Sequence, residues 1–515
     1  MWHEIIEAVS NSTQRRLILK LLGIYLLVAL PFKALDILPD LANIRPNSAF
    51  IPIYGLLFGP VGAWTNALGN CLYDLLTGSF TKSTIAGNIA NFCVPLLMYK
   101  LWQRLVGGRF KLADSRDLAW YIIISAMGAV AKALIITPAV MFFHPTVSGA
   151  AFAKAVVATE ITFYLAPGIA ILLVLQTIYG CKGYLAKADA ISLKNTGQIT
   201  CLVETETSTT SGMNRLQANL CLLTVVLCWS FEVILLKNIP ESVPGLSVTA
   251  LTNIIGSALL VLVFFSQVRQ FFSLKLFIQI LPLAALNTVY NLMRFEATRF
   301  LSADVVEFTT TLALVIMPVI LYLFFREKQQ VNVWLGGALV LFGIFCSLDW
   351  SFPLKQSYGL LLMIGFSIIW SGYIIWLNRL SKQQETITLT VFMLGAVGII
   401  SLLLWFVLSP ETVTTIDYSM TFWASIFSYA YFSCSFATVL NILVQKFVSP
   451  LDAVAIYSLA PAIVLIMAVT LPPQLAIEFD LTFMAIVSCV IIAFGSFISQ
   501  VEWQKLTALF TKYST

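Results

Sequence analysis

The chain has 515 residues, of which 59% are hydrophobic and 11% charged. A water-soluble protein carries about 25% charged residues, so this composition excludes a soluble globular fold and asks for lipid as solvent. The net charge of +5 sits in short basic stretches between apolar runs, which argues against a nucleic-acid partner and for residues that fix membrane topology.

Apolar runs of roughly 20 residues, the length that crosses a hydrocarbon core, recur along most of the sequence. Backbone groups in lipid must be satisfied within the segment, and these runs are too long for barrel strands. The expected fold class is therefore all-α and polytopic, with about 16 transmembrane helices. The polar start MWHEIIEAVSNSTQRR is not a cleavable signal, because the apolar run after it continues into a full span.

Six spans are expected in the first half, near 17–37, 48–61, 62–78, 84–102, 118–143 and 149–179. Within the third, Asn66, Asn70 and Asp74 fall at i, i+4 and i+8 and share one helix face. Asn88 and Asn91 extend that polar surface on the fourth span. Hydrogen bonding between helices and contact with a ligand are both open readings of such a face. Lys132 and Glu160 are more telling. Each lies about 11 residues from the facing ends of the fifth and sixth spans, roughly 16 Å deep by helical rise. A lone charge at that depth costs about 2.5–3.5 kcal/mol even on the lenient insertion scale, so an ion pair or a ligand between the two is expected.

A polar stretch rich in Thr, Ser and charge follows, and residues 188–213 read as a cytoplasmic linker. The N-terminal domain is accordingly 1–187 and the C-terminal domain 214–515. Ten further spans are expected near 216–236, 246–266, 276–298, 304–324, 332–348, 357–377, 389–408, 420–442, 452–472 and 480–500. Lys and Arg concentrate in alternate loops, such as QVRQFFSLK, REKQQ and NRLSKQQ, whereas SPETVTTIDYSM and PPQLAIEFD are acidic. That bias places both termini and the linker in the cytoplasm, with the protein in a bacterial inner membrane.

The C-terminal domain contains an internal repeat. Trp229-Ser230 in LCWSFEVILL returns as Trp370-Ser371 in IIWSGYIIWL, 141 residues on (229 to 370), and Arg299-Phe300-Leu301-Ser302 returns as Lys446-Phe447-Val448-Ser449, 147 residues on (299 to 446). Repeats of about 216–348 and 357–500 each hold five spans, an odd number, so the second copy is expected to lie inverted, with a site near the midplane between the copies. The candidate binding residues are Trp229, Ser230 and Glu232 on the first span, and Asn287, Tyr290, Asn291, Arg294 and Glu296 on the third. Glu307 on the fourth joins them, as do Trp370, Ser371, Tyr373 and Tyr457 from the second copy. Glu232 must neutralise, pair with a residue such as Arg294, or line a watery cavity, and a protonatable carboxylate there would suit proton coupling.

Two family resemblances rest on particular residues. Trp229-Ser230, Ala297 to Ala303 (ATRFLSA), the turn bearing Glu327, and the helix carrying Trp334, Gly336, Gly337 and Gly343 resemble the repeat unit of the drug/metabolite transporter superfamily, the EamA-like permeases. The family's fourth-helix proline falls where Leu314 stands, and the second copy keeps it as Pro461. Arg45-Pro46 followed by FIPIYGLLFGPVGAWTNALGNCLYDLL resembles the six-span S components of energy-coupling-factor vitamin importers. The first resemblance implies a ten-helix carrier. The second implies an appended substrate-binding domain, with an energy-coupling-factor module as a candidate partner.

Nine cysteines are scattered singly, with no CxxC pair, and His3 and His144 are the two histidines. No metal site, cofactor or catalytic triad is expected, nor is enzyme activity. The expected function is a secondary transporter of a small polar or zwitterionic metabolite working by alternating access. Its partners are the substrate, the lipid membrane and, as a coupling ion, protons. The alternative readings are a vitamin-type uptake receptor that needs a separate energising complex, or a membrane sensor.

Overall fold

The computed structural model describes residues 2–30, 46–107, 110, 112, 115–145, 148–178, 213–236, 239–240, 242–347, 354–470 and 482–500. The linker expected at 188–213, Arg45 and the acidic loop at 472–480 lie almost wholly outside the described residues. Every regular element among the described residues is helical. The chain divides into two compact units, Met1–Cys221 and Leu222–Thr515.

The first unit holds α1 (Trp2–Ser10), α2 (Ser12–Ala29), α3 (Phe50–Phe58), α4 (Pro60–Leu76), α5 (Thr84–Leu105), α6 (Ser115–Phe143) and α7 (Gly149–Ile178). The segment expected as a span near 48–61 is in fact half a crossing. Its helix α3 has 9 residues and rises only about 14 Å against a core of roughly 30 Å. Gly59, at φ 52°, turns the chain there and Pro60 begins α4, which uses glycine's left-handed freedom and proline's fitness for the first helical position. A Cβ on Gly55 would lie 2.7 Å from the Pro95 carbonyl oxygen, so α3 and α5 touch backbone to backbone.

The second unit begins within α8 (Arg215–Leu236) and continues through α9 (Gly245–Gln270), α10 (Leu274–Ala297), α11 (Ala303–Thr310), α12 (Ala313–Phe325) and α13 (Val331–Ser347). It then runs through α14 (Leu354–Ser381), α15 (Thr386–Leu408), the one-turn α16 (Thr412–Thr415), α17 (Met420–Tyr429) and α18 (Thr438–Val444). The last described helices are α19 (Pro450–Tyr457), α20 (Ala460–Thr470) and α21 (Phe483–Gln500). Two expected spans are each broken into a pair of helices, 304–324 into α11 and α12 and 452–472 into α19 and α20. The span near 420–442 carries a π-helical stretch, Ala430–Ala437, between α17 and α18. A π-turn inside a helix often marks a functional region.

Large apolar side chains are exposed here and many polar ones join the apolar core. Phe142, Phe324 and Phe497 are 80%, 76% and 66% exposed, while Asn66, Ser367, Thr390 and Gln445 are buried. Apolar outside and polar inside is what a hydrocarbon solvent selects. Nine helices among the described residues are long and apolar enough to cross a membrane. The chain is a polytopic integral membrane protein.

Helix pairs in the second unit cross between its two halves. The pairs are α9 on α15, α13 on α21 and α10 on α14, and the contact of α10 with α15 is matched by that of α9 with the π stretch. The α13–α21 crossing is the tightest. A Cβ on Gly336 would lie 2.5 Å from the Gly495 carbonyl oxygen, and one on Gly495 would lie 2.8 Å from that of Gly336. Small residues let membrane helices approach this closely.

Candidate functional site

The second unit gathers its charges where α8, α10 and α11 meet. Arg294 Nη2 donates to Glu307 Oε1 at 2.8 Å and Nη1 to Glu232 Oε1 at 3.2 Å. The carboxylates are 4% and 7% exposed, for Glu307 and Glu232 respectively. Tyr429 of α17 lines the same cavity walls as Glu232. Glu232 lies near one end of its helix. It stands four residues before Leu236, the last described residue of α8, about 6 Å from that end by helical rise.

Two cavities flank this cluster and share it as a wall. A vestibule of about 690 Å³ lies towards the α8 C-terminus, lined also by Phe295, Arg299 and Leu301. A chamber of about 130 Å³ lies on the other side. Trp229, Ser230, Asn287, Tyr290 and Asn291 face this chamber, with Trp370, Tyr373 and Tyr457 from the second half. Its rings form an unbroken chain. Trp229 meets Tyr457 at 5.3 Å between centroids, Tyr457 meets Trp370 at 5.6 Å, Trp370 stacks on Phe366 at 5.5 Å, and Tyr290 then joins Phe366 at 5.7 Å and Tyr373 at 5.2 Å.

Two candidate residues do not belong to it. Glu296 lies two positions past Arg294, which turns it to another side of α10, and it pairs with exposed Arg299 at 3.4 Å. The Ser371 hydroxyl is fully buried and donates back to the Ser367 carbonyl at 2.7 Å, so it serves its own helix. Several lining residues escaped the sequence reading: Asn253, Phe366, Tyr429 and Asn441. Two had a signal. Phe366 precedes Trp370 by four, the same-face spacing, and Asn441 stands 147 residues after Arg294 (294 to 441), the repeat offset itself.

That correspondence extends further. Asn378 of α14 donates through one amide nitrogen to Gln445 O at 2.8 Å, Gln445 Oε1 at 2.9 Å and Val448 O at 2.9 Å. Gln445 Nε2 donates to the Tyr457 hydroxyl at 3.2 Å, and that hydroxyl donates to Asn441 Oδ1. The knot ties the first, third and fourth helical segments of the second half, as Glu232, Arg294 and Glu307 tie those of the first. One knot is charged and the other neutral.

In the first unit, Lys132 Nζ lies 2.6 Å from Glu160 Oε1, with both side chains buried. Ser48 Oγ donates to the same oxygen at 2.9 Å. Their helices α6 and α7 put each charge 11 residues from the facing ends, Phe143 and Gly149. The pair borders a cavity of about 540 Å³, which Asn70, Asp74 and Asn91 also line, together with Tyr25 and Asn47. Asn66 does not line it. Its amide donates to the Gly62 and Phe50 carbonyls at 3.1 and 3.3 Å and joins α4 to α3. Asn88 stands behind the cavity, where its oxygen accepts from Asn70 at 2.7 Å and helps hold the amide that also bonds Asp74 at 2.8 Å.

Replacing Lys132 by methionine should therefore strand a buried carboxylate, at a cost of about 3–5 kcal/mol. The expected result is a clear loss of thermal stability, with most of it regained in Lys132→Met/Glu160→Gln. A thermal unfolding series on the purified variants reads this directly, and an unchanged midpoint in the single variant would contradict the buried pair.

Residues 216–348 match the EamA-like transporter family. A solved structure described only as "Crystal structure of protein" is similar to this chain at 17% identity, covering 57% of this chain and 99% of that chain, with a TM-score of 0.45. A comparison with curated proteins returns no match. The match at 216–348 is to a family of membrane transporters of small metabolites and not to an enzyme family.

Proposed function

We propose that the second unit is a secondary carrier of a small polar metabolite, binding it in the chamber between two inverted five-helix halves. The observation that carries this reading is the pair of knots, each joining the first, third and fourth helical segments of its own half around one shared chamber. The self-paired contacts α9–α15 and α13–α21 support it, as does the match of α10–α15 with α9 on the π stretch, because a two-fold relation between halves maps a contact onto its mirror. So do the matching breaks in the fourth span of each half. Inverted repeats that rock about a midplane site are the common plan of alternating-access carriers.

On the positive-inside topology the vestibule faces outward, and the charged cluster separates it from the chamber. Opening one knot while the other stays shut exposes the chamber to one side at a time. Glu232 is the coupling group in this scheme, since a carboxylate at a membrane cavity can exchange a proton for its Arg294 partner. The first unit, with its 540 Å³ cavity beside Lys132 and Glu160, acts as an appended solute-binding or regulatory domain resembling an S component.

The test uses the full chain in liposomes containing a pH-sensitive dye, challenged with a panel of small amines, amino acids and neutral polyols. At least one compound is expected to move protons with no energising partner present. Glu232→Gln is expected to slow that flux about tenfold or more, since an amide cannot carry the proton. A panel without response, or a Glu232→Gln variant that matches wild type, would remove the carrier reading and favour an uptake receptor that needs a separate energy source.

A further inference from the structure

The chamber's chemistry is lopsided. Glu232, Glu307 and Arg294 are the charged side chains of its described lining, so with both carboxylates ionised the wall carries one negative charge in excess. Both terminal nitrogens of Arg294 are already engaged, one on each carboxylate. A ligand carboxylate would place a third anion on a guanidinium that already answers two. A ligand cation would not.

The rings facing this charge point the same way. Six of them run edge to face, tilted or stacked from Trp229 to Tyr373 with neighbouring centroids 5.2–5.7 Å apart. Ring faces attract ammonium groups, and the attraction strengthens when water is excluded. A third feature is independent of charge. The Ser230 hydroxyl is buried at 2% exposure, has no hydrogen-bond partner among the described residues, and lines this chamber. Buried polar atoms left unpaired in this way invite a partner from outside the chain.

We propose that the chamber takes a small organic cation, its ammonium seated against the ring chain and balanced by the excess negative charge of the Glu232–Arg294–Glu307 cluster. The Ser230 hydroxyl bonds the polar tail of the ligand. A chamber of about 130 Å³ limits the ligand to a compact molecule. The proposal rests on the reading that this chamber is the carrier's site and narrows its substrate from polar metabolites in general to cations.

Titration calorimetry on the full chain in detergent tests it with three compounds of nearly one shape: choline, its uncharged isostere 3,3-dimethylbutan-1-ol, and glycine betaine as the zwitterion. Choline is expected to bind roughly tenfold or more tightly than either of the others. Trp370→Leu is expected to weaken choline binding by a similar factor, Trp370→Phe to restore most of it, and Glu232→Gln to abolish it. Equal binding of the uncharged isostere, tighter binding of betaine, or no binding of choline overturns the proposal. If a neutral or zwitterionic compound instead drives Glu232-dependent flux in liposomes, the cation class fails while the carrier reading stands.

Discussion

Replacing Arg294 by methionine is expected to be the most damaging single change in the second unit. The guanidinium is the cation that both buried carboxylates hold, at 2.8 Å for Glu307 and 3.2 Å for Glu232. Without it, two like charges face each other on side chains only 9% and 5% exposed. Removing one partner of a buried ion pair typically costs about 3–5 kcal/mol, because the remaining charge is left uncompensated. The cost is large beside the 5–15 kcal/mol that holds an ordinary domain together. The Arg294→Met protein should therefore show a sharply lowered thermal midpoint and no transport. The triple variant Arg294→Met/Glu232→Gln/Glu307→Gln separates the two effects. It is expected to regain most of the stability, since no buried charge remains, yet to stay inactive in liposomes. If the triple variant transports at the wild-type rate, the cluster is scaffold only.

A comparable loss is expected from Gly336→Leu, for a different reason. The Gly336 and Gly495 backbones touch each other, and any Cβ at 336 would fall 2.5 Å from a carbonyl oxygen and 2.8 Å from the Ser499 Cβ. None of these is the flexible end of a side chain, so the helices must separate. Overpacking of this kind costs roughly 1–3 kcal/mol and more where backbone must move. The loss also spreads, because Asn332 donates to the Ser499 carbonyl at 3.0 Å across the same crossing and Gly343 lies against Ile492. Gly337→Ala is the control. Its nearest neighbour is Val315 at 3.9 Å, an ordinary contact, and its stability should stay within about 0.5 kcal/mol of wild type. Chromatographic monodispersity and thermal midpoint of the two variants give the comparison. Equal behaviour at 336 and 337 would contradict the close crossing.

Much of the candidate site was legible in sequence because membrane helices make polar residues conspicuous. Lys132, Glu160, Glu232, Arg294 and Glu307 each interrupt an apolar run, and helical rise alone put Lys132 and Glu160 at one depth. Glu296 shows the limit. It has the same chemistry as Glu307 and sits two positions from Arg294, but two residues are more than half a helical turn, so it leaves the cluster for Arg299. Ser371 fails similarly, since a serine in a helix can spend its hydroxyl on the carbonyl four residues back. Tyr429 and Asn253 were missed because one tyrosine or asparagine among many carries no mark of which cavity it faces.

The half-crossing at Phe50–Phe58 was illegible for another reason. An apolar run reports that a segment is buried in lipid or protein, and only its turn geometry, here the positive φ of Gly59, reports how far it travels. The breaks at Thr311 and Ser458 differ, since both residues keep right-handed helical angles and the chain crosses there as one span.

The sequence by itself determined the solvent, the helical class and the list of charges that need partners, because burying a backbone or a charge in hydrocarbon is costly wherever it occurs. Only the tertiary structure decided which partners were taken. Arg294 joined Glu232 and Glu307 rather than Glu296, six rings from two distant segments closed into one chain, and Gly336 met Gly495. Those choices depend on distances across helices tens to more than a hundred residues apart, which local spacing along one helix does not encode.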